Sequence, residues 1–367
     1  MMRKYFIPVF IILMFFVLDA KAVDTKIPEL EKKKLPEVQI PKINIKTLPN
    51  GIKIYYLKDT ELPVFQMNVY FDEVGALYEE KSERGLNSIF MNAWRSGGSK
   101  KYTPDAFDEK LAFTAASISA SSGSEYSSLK MGCLQKDTNE TLDLFFDVLR
   151  NPLFNADRLD VFKKAVLNSI SQRNEKAISV AGREFMQSLY GEDSPLAWSA
   201  IKETIQPIDG KMLKQYYQDN IALNRMHIAG SSLLEFDEFL ALIDPYLKGW
   251  SKKREKKPYP TKVKKEWKKS TEFIHKPGNQ SAIIIGHFGE KRFTPDKFKL
   301  VLANEILGGT TFGSKLGDRI RTDLGLAYSI NSNFGFGTDY GAFTVMTQTK
   351  SESTVNTIEE IQKIITK

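Results

Sequence analysis

Gly85-Leu86-Asn87-Ser88-Ile89-Phe90-Met91-Asn92-Ala93-Trp94-Arg95-Ser96-Gly97-Gly98 decides how this 367-residue chain is read. Leu86, Ile89, Phe90, Ala93 and Trp94 recur at three- and four-residue intervals, so they share one face of a buried helix, and the paired glycines end it. Upstream, the turn 47–51 leads into a strand to Leu57, and residues 64–71 form a second apolar strand. Downstream, residues 126–135 read as a strand, and residues 142–149 and 161–170 carry further helical periods.

The order recurs later in the chain. Residues 300–307 predict a helix ending at Gly308-Gly309, and residues 340–349 predict a strand followed by Lys350 and a helix from about Val355. Tyr126 and Lys136 are ten residues apart, as are Tyr340 and Lys350. The fold class expected is α+β: two homologous domains, each an antiparallel-rich sheet packed with helices. The first domain is expected over residues 45–250 and the second over 270–367. Since the second copy stops near the helix matching residues 142–149, it is expected to be incomplete, an apparently truncated domain.

The flanking segments read differently. Arg3 and Lys4 precede a 13-residue apolar run, Phe6 to Leu18, and Ala20-Lys21-Ala22 follows. That run falls short of the roughly 20 residues needed to span a bilayer, so residues 1–22 are expected to be a cleaved signal peptide. The mature chain is then exported, to the periplasm, with no membrane association. Residues 23–44 and 251–269 are expected to be linkers, rich in charge and proline and without apolar period. Residues 252–269 hold ten Lys or Arg against two Glu, which exceeds the whole chain's net charge of +7. The positive charge is therefore one segment rather than a surface, and no nucleic-acid partner is expected. One cysteine, Cys133, excludes a disulfide framework and a four-cysteine metal site, and three histidines leave little for a histidine-rich centre.

Five short motifs, in order and spacing, resemble the insulinase/pitrilysin family of zinc peptidases (inverzincins). They are Leu48-Pro49-Asn50-Gly51, Gly85-Leu86, Gly191-Glu192-Asp193-Ser194-Pro195, Leu307-Gly308-Gly309 and Gly325-Leu326-Ala327-Tyr328-Ser329. The resemblance is to the bacterial branch built from two half-size subunits, and it runs from about Lys46 to Lys367. Active members carry H-x-x-E-H on the helix after Gly-Leu, where two histidines one turn apart bind zinc and the glutamate activates water. Aligned on Gly85-Leu86, those slots hold Ser88, Met91 and Asn92. A glutamate ligand is expected about 75 residues further on by the resemblance, where the chain has Asn168 and Ser169. Ligands and base are replaced together, so no metal is expected in this chain and no peptidase activity from it alone.

The resemblance also implies an arginine and a tyrosine seven positions apart in the second domain of the noncatalytic half, facing the partner's zinc. Arg321 and Tyr328 match that spacing. A phenol hydroxyl there stabilises an oxyanion, and a guanidinium holds a carbonyl. Substrate in the family adds as a strand to an edge whose counterpart here is Ser119-Ala120. Two functions stay open: a noncatalytic subunit completing a zinc-bearing homologous partner for peptide degradation, or a peptide-binding protein of the same fold that cleaves nothing. Other candidates are weaker. Gly308 to Lys315 has the wrong order for a phosphate loop, His227 reads as a hydrogen-bonded core residue, and Cys133 reads as buried strand filler.

Overall fold

The structure is a computed structural model that describes residues 37–250, 252–261, 263 and 269–366. The expected signal peptide and most of the segment 23–44 lie outside the described residues. Residues 37–42 have no regular structure and are exposed.

The first half is a six-stranded sheet. Its strands are β1 (Asn44–Thr47), β2 (Lys53–Lys58), β3 (Val64–Asp72), β4 (Ser117–Ser122), β5 (Tyr126–Leu134) and β6 (Met226–Ser232), in the spatial order β1-β2-β6-β3-β5-β4. All pairs are antiparallel except β2–β6. Strand alternation is clean where one face meets helices: in β3, Phe65, Met67, Val69 and Phe71 are buried and their neighbours are not.

The helices longer than one turn are α1 (Leu86–Ser96), α2 (Pro104–Phe113), α3 (Thr138–Arg150), α4 (Ala156–Gln172), α5 (Ala177–Tyr190), α6 (Gly210–Asn220) and α7 (Phe236–Leu247). Helix α1 is the centre of this half. Its apolar residues pack with Phe71, Phe154 and Tyr216, and the Trp94 indole donates to the Val148 carbonyl at 2.8 Å. Gly85 opens it with φ of 104°, and a Cβ there would lie 2.7 Å from the Ile205 side chain, which is why glycine precedes Leu86.

The second half carries β7 (Gln280–Phe288), the short pair β8 (Glu290–Lys291) and β10 (Phe336–Gly337), then β9 (Ala327–Phe334) and β11 (Ala342–Lys350). Strands β7, β11 and β9 form an antiparallel sheet in that order, the arrangement of β3, β5 and β4. Helix α8 (Lys297–Asn304) runs into a π-helical turn at Glu305–Gly309, and α9 (Thr354–Ile365) follows β11 as α3 follows β5. The repeat is real, but its register differs from the tyrosine–lysine spacing by two residues. Asp72 faces Tyr126 in the first sheet, and Phe288 faces Ala342, not Tyr340, in the second.

In the first sheet β2 is reached only through β6. No described strand holds the place of β6 beside β7. Residues 270–276, which precede β7 as β2 precedes β3, accordingly have no regular structure, and Phe273 is 88% exposed. Helix α5, by sequence part of the first half, packs on β7 instead. A Cβ on Gly286 would meet the Phe185 ring at 2.8 Å, and the Tyr190 hydroxyl donates to the Tyr340 carbonyl at 3.1 Å.

The described residues of the basic segment form no helix or strand, and its start is bonded to the first half. Leu223 N–H donates to the Lys252 carbonyl, and Arg254 and Asn224 bond reciprocally. Arg254 also pairs with buried Glu73 at 3.1 Å, and Glu73 further accepts from the Lys257 amide and Arg225. Glu73 has φ of 60°, a region costly for a non-glycine residue, and these three cationic and amide donors hold it there. Within this segment it is the Arg254 charge that is paired, with a carboxylate one residue past the end of β3.

Candidate functional site

Helix α1 begins on a carboxylate. Buried Glu79 accepts the Gly85 and Asn87 amides at 3.1 and 2.5 Å, so it satisfies orphan donors at the helix N-terminus. Burial raises its pKa above the ordinary range, and the two amide bonds and the Arg84 guanidinium only partly oppose this. The fully buried Asn87 side chain bonds Ser122 and Ser127, at 2.8 and 3.0 Å, and accepts from the Tyr216 hydroxyl. This network ties α1 to β4 and β5.

On the helix so placed, Ser88 is exposed, Asn92 half-buried and Met91 only 1% exposed. The Met91 thioether belongs to the core, so the three slots do not share one environment. Helix α4 packs on α1 and carries Asn168 and Ser169, both exposed. They line an open cavity of about 370 Å³ with Arg173, Glu175 and Lys176. The donor set does not fit zinc. Hydroxyl, thioether and carboxamide groups are poor ligands beside imidazole and carboxylate, and among the described residues no three His, Cys, Asp or Glu side chains are grouped to hold a metal.

Ser119 and Ala120 lie on β4, whose one sheet neighbour among the described residues is β5. The strand is thus at the sheet edge, as the resemblance implies, and α1 packs against it. The Arg95 guanidinium of α1 donates to the Ile118 carbonyl at 2.8 Å and pairs with Asp108 at 2.6 Å, which occupies one acceptor of this strand.

Arg321 and Tyr328 come together in the second half. Arg321 lies on a π-helical segment, Gly317–Asp323, and the chain turns through Leu324 and Gly325 into β9. Between Thr347 and Thr349 the pairing of β11 with β9 slips by one residue, a bulge at Tyr328–Ser329. The bulge breaks the alternation so that both point outward between buried Ala327 and Ile330. Two carbonyls beside the bulge are satisfied by hydroxyls: Thr347 donates to Ser329 at 2.8 Å and Thr349 to Leu326 at 2.6 Å. Tyr328 is 86% exposed, and the Arg321 guanidinium carbon lies 5.2 Å from its ring centre and 4.1 Å from that of Phe312.

Reading the sequence missed Phe312, Glu79 and Asn87. Phe312 lies within the glycine-rich stretch set aside as a poor phosphate loop, and no periodicity connects it to position 321. His227 is half-buried rather than a core residue, and bonds Asp72 at 2.7 Å. Cys133 is buried in β5 as expected.

Comparison with known proteins agrees with this architecture. Residues 57–196 match the family described as insulinase (peptidase family M16), and residues 207–367 match the peptidase M16 inactive domain. A non-peptidase homolog, YmxG, of Helicobacter pylori is 28% identical over 327 residues, which cover 86% of this chain and 74% of that one. The crystal structure of a peptidase M16 inactive domain from Pseudomonas fluorescens superposes with a TM-score of 0.79 at 23% identity, over 89% of this chain and 78% of that one. The periplasmic protease PqqL of Escherichia coli has a TM-score of 0.75 at 13% identity, over 91% of this chain and 38% of that one. With both halves matched by models of one family and its fold shared by these structures, the chain belongs to the insulinase family, peptidase family M16, and lacks that family's H-x-x-E-H motif.

Proposed function

We propose that this chain is a noncatalytic subunit of an exported insulinase-family peptidase, lending Arg321 and Tyr328 to a homologous zinc-bearing partner that degrades peptides. The observation that carries the reading is the contrast between the two sites. Ser88, Met91, Asn92, Asn168 and Ser169 leave no ligand set, while Tyr328 is held out by a β-bulge beside an arginine. The Tyr328 ring is 86% exposed, and the Arg321 guanidinium lies over it. Its hydroxyl suits donation to a carbonyl oxygen as negative charge develops. The apolar run at residues 6–18 with its small-residue sequel supports export.

The test is reconstitution with an H-x-x-E-H homologue from the same genome. Tyr328→Phe is expected to leave assembly intact and lower turnover about 100- to 1,000-fold, as loss of one oxyanion donor does. Wild-type turnover in an assembled Tyr328→Phe complex rejects the reading. A peptide-binding protein without cleavage is the second reading, favoured by the edge position of β4, where Ser119 and Ala120 offer a strand for addition. Peptide binding by the isolated chain with no stimulation of the homologue supports it.

A further inference from the structure

We propose that Phe312 is a positioning residue for Arg321, and that the guanidinium flanked by the Phe312 and Tyr328 rings receives a carboxylate of an extended peptide. This rests on the reading of Arg321 and Tyr328 as a functional pair.

Charged groups nearby are already engaged. Arg319, two positions away, donates to Glu360 at 3.0 Å and lies 3.8 Å from Asp323. Asp318 accepts from the Gly313 amide at 3.3 Å. Arg321 has neither a side-chain hydrogen bond nor an ion pair to any described residue; its partners are the two rings. A surface cation left to water samples many rotamers. Ring contacts at 4.1 and 5.2 Å instead restrict the guanidinium plane and leave its N–H edge unspent.

Phe312 is itself fixed. It is 70% exposed, but the Thr310 hydroxyl donates to its carbonyl at 2.8 Å, Asp318 holds the next residue, and Gly313 turns the chain with φ of 74°. The loop therefore spends its hydrogen bonds on presenting a ring to solvent over an arginine. A planar donor edge between aromatic surfaces matches a carboxylate bidentately. A phosphate dianion fits poorly, because one guanidinium has to balance it with Asp318 and Asp323 close in sequence.

The experiment uses the chain from residue 23 onward and N-terminally fluorescein-labelled decapeptides in three forms. One has a free C-terminal carboxylate and no acidic residue, one is amidated with a central Glu, and one is amidated with a central Gln. At least one carboxylate form is expected to bind about tenfold or more tighter than the Gln form, and which one identifies a terminal or a side-chain carboxylate as the source. Arg321→Gln is expected to abolish the preference. Phe312→Leu, which keeps apolar bulk but removes the ring, is expected to weaken it by roughly two- to fivefold, and Phe312→Trp to restore it. Three forms binding alike, or none binding, overturns the carboxylate assignment. Phe312→Leu matching wild type, with Arg321→Gln impaired, overturns the positioning role. If Tyr328→Phe is silent in the reconstituted complex, the subunit reading fails separately, since the peptide preference is measured on the isolated chain.

Discussion

Met91 is buried while Ser88, less than one helical turn away, faces solvent, and this separates the present chain from a peptidase by more than three substitutions. Ser88→His, Met91→Glu and Asn92→His together would place an unpaired carboxylate in a packed core, at a cost of about 3–5 kcal/mol. The variant is expected to lose stability and, like wild type, to hold no stoichiometric zinc by elemental analysis. Near one zinc per chain in either protein contradicts this. Glu79 offers a pH test. Burial raises its pKa above 4.5, so the folded chain holds that proton more tightly than the unfolded one. Folding then takes up a proton between 4.5 and the raised value, and this contribution to stability is largest below the window and falls as pH rises through it. Glu79→Gln is expected to lose about 1–2 kcal/mol through a missing acceptor, but also to flatten that pH dependence in urea titrations. A slope equal to that of wild type would show that Glu79 is not the group that sets it.

Among elements, the β9 bulge decides where Tyr328 points. Strand alternation alone would have kept Tyr328 and buried Ile330 on the same side; one extra residue separates them. Thr349→Val keeps shape and burial while orphaning the Leu326 carbonyl, so a loss of about 1–3 kcal/mol is expected in thermal or urea unfolding. A neutral effect would show that the hydroxyl does not support the bulge. The helix at residues 86–96 was legible because its apolar period is strong and glycines bracket it. The bulge was not, since inserting one residue into a strand leaves the composition of Ala327-Tyr328-Ser329-Ile330 unremarkable. Nor was the anchoring of residues 252–257, because the carboxylate that neutralises Arg254 is 181 positions away in sequence.

On the scale of the molecule the described residues form two cores of unequal size. The first joins β2, β3, β5 and β6 to α1, α3 and α7, while the second comprises Leu316, Ile320, Ala327, Ile330, Phe343, Val345 and Ile361. Helix α8 shows the difference: it has no buried residue, and Phe298 and Leu302 are exposed, whereas its counterpart α1 is covered by α4 and α6. Fewer buried contacts mean a lower free energy of local opening. Hydrogen exchange is therefore expected to be slower in β3, β5 and β6 than in β7, β9 and β11. Equal protection in both sheets would indicate one cooperative unit joined through α5.

What the amino-acid order determined by itself was local and periodic: the element types, the repeat of strand and helix, and the buried face of α1. These follow from spacing and from chemical identity, which need no partner in space; that Ser88, Met91 and Asn92 stand in metal-ligand slots is what the family resemblance implies. Only tertiary structure decided that β6 inserts between β2 and β3, that α5 crosses to the second sheet, that Glu73 gathers the basic segment, and that Phe312 meets Arg321. Each of those is a contact between residues brought together by chain closure, whose energy depends on burial and geometry that no local pattern encodes.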